Sequence, residues 1–163
     1  MKNFPFEHNG ETFWYSRGIV CVSFIFATDK NGDIHVLANK RGSGVPTPGY
    51  WNCPCGHLDF DEDCKDCAVR ETYEETGIQI NKKSLTLYTI NDRDFQSKDQ
   101  SLGFIYYTMI TDKTIEEMPT NKKHMEKNEV DEIKWINVDQ LNDYKWAFNH
   151  EKRIMQILNY LNK

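Results

Sequence analysis

Three glutamates, Glu71, Glu74 and Glu75, stand at the spacing that one turn of α-helix brings onto a single face, and the residues around them favour that helix. Asp61, Glu62 and Asp63 supply charge and capping groups suited to a helix N-terminus, and Gly77 is a natural stop. The stretch from Gly56 to Ile78 is therefore expected to hold a short helix on which carboxylates crowd together. Like charges so close repel, and each raises the others' affinity for a proton. On spacing alone they are most simply solvated surface glutamates, because glutamate is a good helix former. The competing reading is a site for a hard divalent cation, with Mg2+ or Mn2+ better suited than zinc to an all-oxygen set.

The wider segment favours the second reading. Gly56, Glu62, Arg70, Glu71, Glu74, Glu75, Gly77 and Ile78 fall at the fixed positions of the pattern G-x5-E-x7-R-E-U-x-E-E-x-G-U, with U apolar, and the segment resembles the motif of the Nudix hydrolases. The one departure is Thr72, where that family prefers an aliphatic residue; its methyl group can still pack. The resemblance implies an α/β fold, a Nudix-type α/β/α sandwich with a mixed β-sheet between helices, across most of the chain. It implies hydrolysis, by water attack, of the phosphoanhydride of a nucleoside triphosphate or another nucleoside diphosphate derivative; Trp51-Asn52 and His57-Leu58 resemble the members that act on triphosphates and tilt the expectation toward them, with ADP-ribose and dinucleotides open as substrates. Catalytic roles fall by resemblance on Glu71, Glu74, Glu75 and Arg70. Mg2+ is expected on Glu71, Glu74, Glu75 and the Gly56 carbonyl, and Arg70 is expected to pair with Glu62 or another carboxylate of the motif. The general base stays unassigned, and Glu129 and Glu132 are alternative candidates for a fourth carboxylate.

Substrate contacts are expected outside the motif. Arg41, at a strand end, is a candidate for binding phosphates. Asn52 offers a donor and an acceptor side by side, suited to a base edge or to a structural role. Phe148 and Asn149 stand where the family often contacts a base, and Asn149 is equally read as a helix cap.

The rest of the chain supplies a frame. Residues Met1 to Ser16 read as a packed-down arm. The nearly continuous apolar run from Arg17 to Thr28 reads as a buried strand, joined through an Asn31-Gly32 turn to a partner strand at Ile34 to Asn39. Leu85 to Ile90 and Leu102 to Thr111 read as antiparallel strands around a polar loop at Asn91 to Gln100, and Asp112 to Asn128, with Lys122 and Lys123, reads as an exposed loop. Another strand is expected at Glu129 to Asn137, a short helix at Val138 to Tyr144, and an amphipathic helix at Asn149 to Leu161, where Ile154, Ile157, Leu158 and Leu161 share one face.

With 163 residues the chain is expected to form one domain, 1–163. A formal net charge of -5 disfavours a nucleic-acid polymer as partner and allows a small nucleotide bridged by metal. The absence of a signal-like start or a bilayer-length apolar run, with an odd count of 5 cysteines, suggests a cytoplasmic protein with reduced thiols and no membrane partner. A homodimer is compatible with the sequence. Two rival readings use the cysteines. Cys55-Gly56-His57 and Trp146-Ala147-Phe148 echo isopentenyl-diphosphate isomerase, with Cys55 in its active site, but the further histidines and the Glu-x-Glu of those isomerases are missing. Cys53, Cys55, Cys64 and Cys67 also approximate zinc spacing, although the last two fall within the expected helix.

Overall fold

The computed structural model describes residues 4–15, 17–92, 101–121 and 128–162; most of the expected polar loop before Ser101 and the Lys122-Lys123 pair lie outside them. At the N-terminus, β1 (Phe4–His8) and β2 (Glu11–Tyr15) form a separate two-stranded antiparallel hairpin rather than the expected packed-down arm. Asn9 and Gly10 both adopt positive φ, the conformation that a two-residue hairpin turn demands, and Phe6 stacks on Phe13 across the pair at 5.6 Å.

The main sheet is mixed, as expected. Its central strand β3 (Ile19–Thr28) pairs along one edge in parallel with β8 (Leu102–Ile110), which pairs antiparallel with β7 (Thr86–Asn91). The other edge of β3 is divided. Its C-terminal end, from Phe26, pairs with β4 (Ile34–Arg41), while Val20 to Val22 pair with β6 (Cys55–His57). The strands β3 and β4 diverge between these contacts, and β5 (Trp51–Asn52) fills the gap by pairing with Asn39 and Lys40. Both β5 and β6 were invisible to periodicity, being too short to show a pattern. The outer edge of β4 carries β9 (Val130–Asn137), with a bulge near Arg41.

Alternation along β3 explains the layers. Cys21, Ile25 and Ala27 face one side and pack against helix α1 (Cys64–Thr76) through Cys67 and Ala68. Val22, Phe24 and Phe26 face the other side, toward helix α2 (His150–Leu161), through Ile154, Ile157 and Leu158. A strand buried on both faces must read as a nearly continuous apolar run, which this one does. The short helix after β9 is a 3-10 turn at Val138–Asp143. No described helix is long and apolar enough to cross a membrane.

Helix α1 starts and stops as the sequence requires. The Asp63 carboxylate accepts from the backbone N–H groups of Lys65 and Asp66, and Gly77 closes the helix in the left-handed conformation at φ 73°. Thr72, the departure from the motif, is fully buried, and its hydroxyl donates to the Ala68 carbonyl at 2.7 Å. A buried threonine is tolerable here because the helix itself accepts its hydroxyl proton. Ser23 of β3 donates to the same carbonyl at 3.2 Å.

The turn out of β4 is tight. Gly42 donates to the Glu129 carbonyl at 2.7 Å, and a side chain added at Gly42 would fall on the carbonyl of Asn128. Gly42→Ala must therefore push the start of β9 away from β4, and a destabilisation of about 1–3 kcal/mol is expected in urea unfolding.

Candidate active site at the fork of the sheet

The fork between β3 and β4 is where the motif helix comes closest to the sheet. At Gly56 a Cβ atom would coincide with the carboxylate of Glu71, so glycine is required there for close approach and not for unusual backbone angles. Glu71 is nearly enclosed, at 15% side-chain exposure. Glu75, one turn further on, accepts from the Cys55 backbone N–H at 3.1 Å. Asn39, with its amide nitrogen turned inward, donates to the Asn52 carbonyl at 3.0 Å and to the Glu75 carboxylate at 3.3 Å.

Desolvation raises the proton affinity of both carboxylates. Glu75 is pushed well above the ordinary glutamate range by burial and then by Glu71, against the lowering effects of the Cys55 N–H and Arg41. Glu71 is raised by burial, partly offset by Arg70. Glu129 adds its charge to both, whereas Glu132 pairs with Lys134 at 2.8 Å. Glu129, one of the two candidates for a fourth carboxylate, thus stands near enough to bear on both.

Arg70 behaves as the resemblance implied. Its Nε and Nη2 grip Glu62 at 3.1 and 2.7 Å, and its Nη2 also donates to the His57 carbonyl at 3.0 Å. Its Nη1 reaches Glu71 at 2.7 Å and Glu74 at 2.9 Å. The guanidinium holds Glu62 down at about 2. The expected convergence of three glutamates needs correction. Glu71 and Glu75 converge, while Glu74 is 48% exposed and is tied to Glu71 through Arg70. Among the described residues no three carboxylate, His or Cys side chains are gathered as a ready ligand set. The donors nevertheless fit a hard cation. They are oxygens, two are desolvated and repel each other, and a divalent charge between them would relieve both penalties.

Across the fork, Arg41 is buried, donates from Nε to the Pro46 carbonyl at 2.6 Å, and lies 4.9 Å beneath the Phe148 ring. Phe148 is 51% exposed, and both Phe148 and Asn149 hold positive φ. Asn149 stands at the N-cap position of α2, its carbonyl accepting from the Arg153 N–H at 3.2 Å, but its side chain makes no capping hydrogen bond. Of the two readings of Asn52, the base edge is corrected in favour of the structural role. Asn52 is fully buried and donates to the Cys53 carbonyl at 2.9 Å and the Cys55 sulfur at 3.3 Å, which makes it a brace for the β5–β6 connection and removes it from any base edge.

Two contributors escaped sequence reasoning. Asn39 lies two residues before Arg41 on the same strand face, an alternation that points it toward the carboxylates. His150 is buried, its Nδ1 accepts from the Cys53 N–H at 3.0 Å, and burial pushes it down to about 3, so it is a neutral bolt between α2 and the β5–β6 connection. No local pattern signals it. The zinc reading falls on placement. Cys53 and Cys55 pack on the α2 side of the sheet, and Cys64 and Cys67 on the α1 side.

These shifts set a pH dependence. A raised folded-state pKa means that Glu71 and Glu75 weaken the fold as pH rises through it, so acidification from neutrality toward about 4.5 stabilises the metal-free protein. Glu62 has the opposite sign, and its contribution is lost as pH falls from about 4.5 toward about 2. Glu75→Gln is expected to raise metal-free stability at neutral pH by about 1 kcal/mol and to flatten the rise on mild acidification, measured by thermal melts across pH.

Comparison with known proteins agrees with this fold. The chain is 26% identical over 140 residues to the ADPR responsive transcriptional repressor NtrR of Acinetobacter baylyi, covering 85% of this chain and 52% of that protein. It is 38% identical over 99 residues to an isopentenyl-diphosphate Delta-isomerase of Dinoroseobacter shibae, covering 59% of this chain and 52% of that one. The chain thus spans about half the length of these curated relatives. The NUDIX domain of Shewanella oneidensis NrtR, solved with ADP ribose, superposes with a TM-score of 0.75 at 18% identity, covering 90% of each chain. The family model for the NUDIX domain matches residues 19–157, from the first residue of the central strand into the closing helix, and the chain belongs to that family.

Proposed function

We propose that this site hydrolyses a phosphoanhydride in a nucleoside diphosphate derivative or nucleoside triphosphate, with Mg2+ or Mn2+ as cofactor. One observation carries the reading: two desolvated carboxylates, Glu71 and Glu75, are held against β6 while a buried cation, Arg41, and an exposed aromatic ring, Phe148, face the same fork. Hydrolysis of such a bond is chiefly a matter of positioning water and neutralising charge on phosphate oxygens. A divalent cation, when bound, supplies polarisation of the diphosphate and acidification of water.

The chain's own residues divide the remaining work. Glu71, Glu75 and the Gly56 carbonyl would hold the cation, joined by Glu74 from its more exposed place on the same helix face. Arg70 fixes Glu71 through its grip on Glu62 and thereby sets the angle of the acidic face. Arg41 draws phosphate oxygens toward the carboxylates, and Phe148 and Asn149 offer an aromatic face and an amide to a base. A base stacked on Phe148 would extend the ring pile that begins with Arg41.

Within the substrate class, ADP-ribose is the first candidate, supported by the ADPR-responsive repressor and by the NUDIX domain solved with ADP ribose. The net charge of -5 supports a small nucleotide over a nucleic-acid polymer, even with a transcriptional repressor among the relatives. The 5 cysteines, none of them paired, support a cytoplasmic setting. A second reading, isomerisation of isopentenyl diphosphate, is favoured by the isomerase relative and by Cys55 beside Glu75. Desolvation pushes that thiol up to about 12, so it would serve as a proton donor.

The test is a panel of ADP-ribose, dinucleotides, nucleoside triphosphates and isopentenyl diphosphate, with Mg2+ or Mn2+, read as product identity. Expected are AMP and ribose 5-phosphate from ADP-ribose, a loss of about a hundredfold or more in Glu74→Gln and Glu75→Gln, and a KM raised about tenfold in Phe148→Ala. Turnover of isopentenyl diphosphate that is lost in Cys55→Ala, without nucleotide cleavage, overturns the hydrolase reading. So does binding of nucleotides without any product.

A further inference from the structure

The two inner glutamates of the motif helix divide their oxygens in the same way. At Glu71, Oε1 accepts from Arg70 Nη1 at 2.7 Å, and no hydrogen bond from a described residue falls on Oε2. At Glu75 the engaged atom is Oε2. It accepts twice, from the Cys55 N–H at 3.1 Å and from the Asn39 amide at 3.3 Å, while no described residue donates to Oε1. The orientation of that amide follows from its neighbours. They are the Asn52 carbonyl and the Glu75 carboxylate, both acceptors, so the nitrogen and not the oxygen must face them. Asn39 is buried, and β4 sets it directly opposite Asn52 of β5, whereas Glu75 stays partly accessible. A carboxylate carried by α1 is thus fixed by both walls of the fork, β4 through Asn39 and β6 through Cys55.

We propose that Asn39 is a positioning residue that makes Glu75 a one-oxygen ligand and so biases the acidic face toward Mg2+ or Mn2+ and against Ca2+. The inference rests on the metal-dependent reading above. Mg2+ asks for a near-ideal octahedron of oxygens, a geometry that Mn2+ also takes, and single oxygens from separate groups build it best. Ca2+ takes more oxygens in looser geometry and readily accepts both from one carboxylate. For Glu75 to offer both, Oε2 must leave its two donors. Without the Asn39 amide only the Cys55 N–H holds Oε2, the carboxylate can turn about its last bond, and its second oxygen becomes available. The hold on Mn2+ loosens for want of orientation, while Ca2+ gains an oxygen that offsets the same loss.

The full chain, stripped of metal and without nucleotide, is titrated with Mn2+ and followed by electron paramagnetic resonance, and Ca2+ affinity is read from the displacement of Mn2+. In Asn39→Leu, which nearly keeps the volume and removes the donor, Mn2+ binding is expected to weaken about tenfold with Ca2+ binding nearly unchanged, so the preference for Mn2+ falls by about the same factor. Circular dichroism checks the fold. Should the leucine variant not fold, Asn39→Val, smaller and suited to a strand, is read in the same way. A folded variant that binds Mn2+ as tightly as the wild type overturns the proposal. So does one that loses Mn2+ and Ca2+ affinity by equal factors, as a purely structural asparagine would. Wild-type protein that binds neither cation overturns the metal reading itself and this proposal with it, whereas wild-type binding with unchanged variants overturns this proposal alone.

Discussion

The approach of α1 to β6 at Gly56 is the contact on which the rest of the site depends. Because that residue has no side chain, the Glu71 carboxylate can lie against the strand backbone, and Glu75 is carried one turn deeper to the Cys55 N–H. Both carboxylates lose water in the process, and an unpaired buried carboxylate is among the more expensive things a fold can contain. The fold does not neutralise them fully. It brings one arginine to each side, Arg70 from the helix itself and Arg41 from β4, and still leaves both glutamates with raised proton affinity. A site so poised gains most from a ligand that supplies concentrated positive charge.

The two arginines are not equivalent. Arg70 spends its five donors on Glu62, Glu71, Glu74 and the His57 carbonyl, a fully subscribed arrangement that fixes side chains in place. Arg41 uses one donor on the Pro46 carbonyl and presents the face of its guanidinium to Phe148. The first is built as scaffolding. The second keeps capacity for an anion. His150 and Asn52 belong to the scaffolding as well, because together they hold the Cys53-to-Cys55 connection whose N–H groups face His150 and Glu75.

Much of this was legible before coordinates. The helix came from its caps and spacing, the central strand from its unbroken apolar run, and the Arg70–Glu62 pair from the motif. What stayed hidden has a common cause. The strands β5 and β6 are two and three residues long and exist only because the fork between β3 and β4 offers them partners, so they carry no periodic signal. The roles of Asn52 and His150 depend on those strands and were hidden with them. The N-terminal hairpin is a different case. Its Asn9-Gly10 turn was readable, but aromatic residues on both arms suggested core contact, whereas the hairpin pairs with itself alone among the described strands.

The parallel pairing of β3 with β8 has a consequence for how the molecule comes to exist. Everything from β4 through β7, including the motif helix, is a single excursion of the chain between two strands that lie side by side. Closing so long a loop costs entropy before the ladder returns any of it, and pairings of this kind are late events in a folding reaction. Until that last central strand docks, β3 lies open along one edge, and the floor under the acidic helix is held by β4 and β6 alone. Nascent chains still lacking it would carry the whole motif on a sheet whose central edge is unpaired.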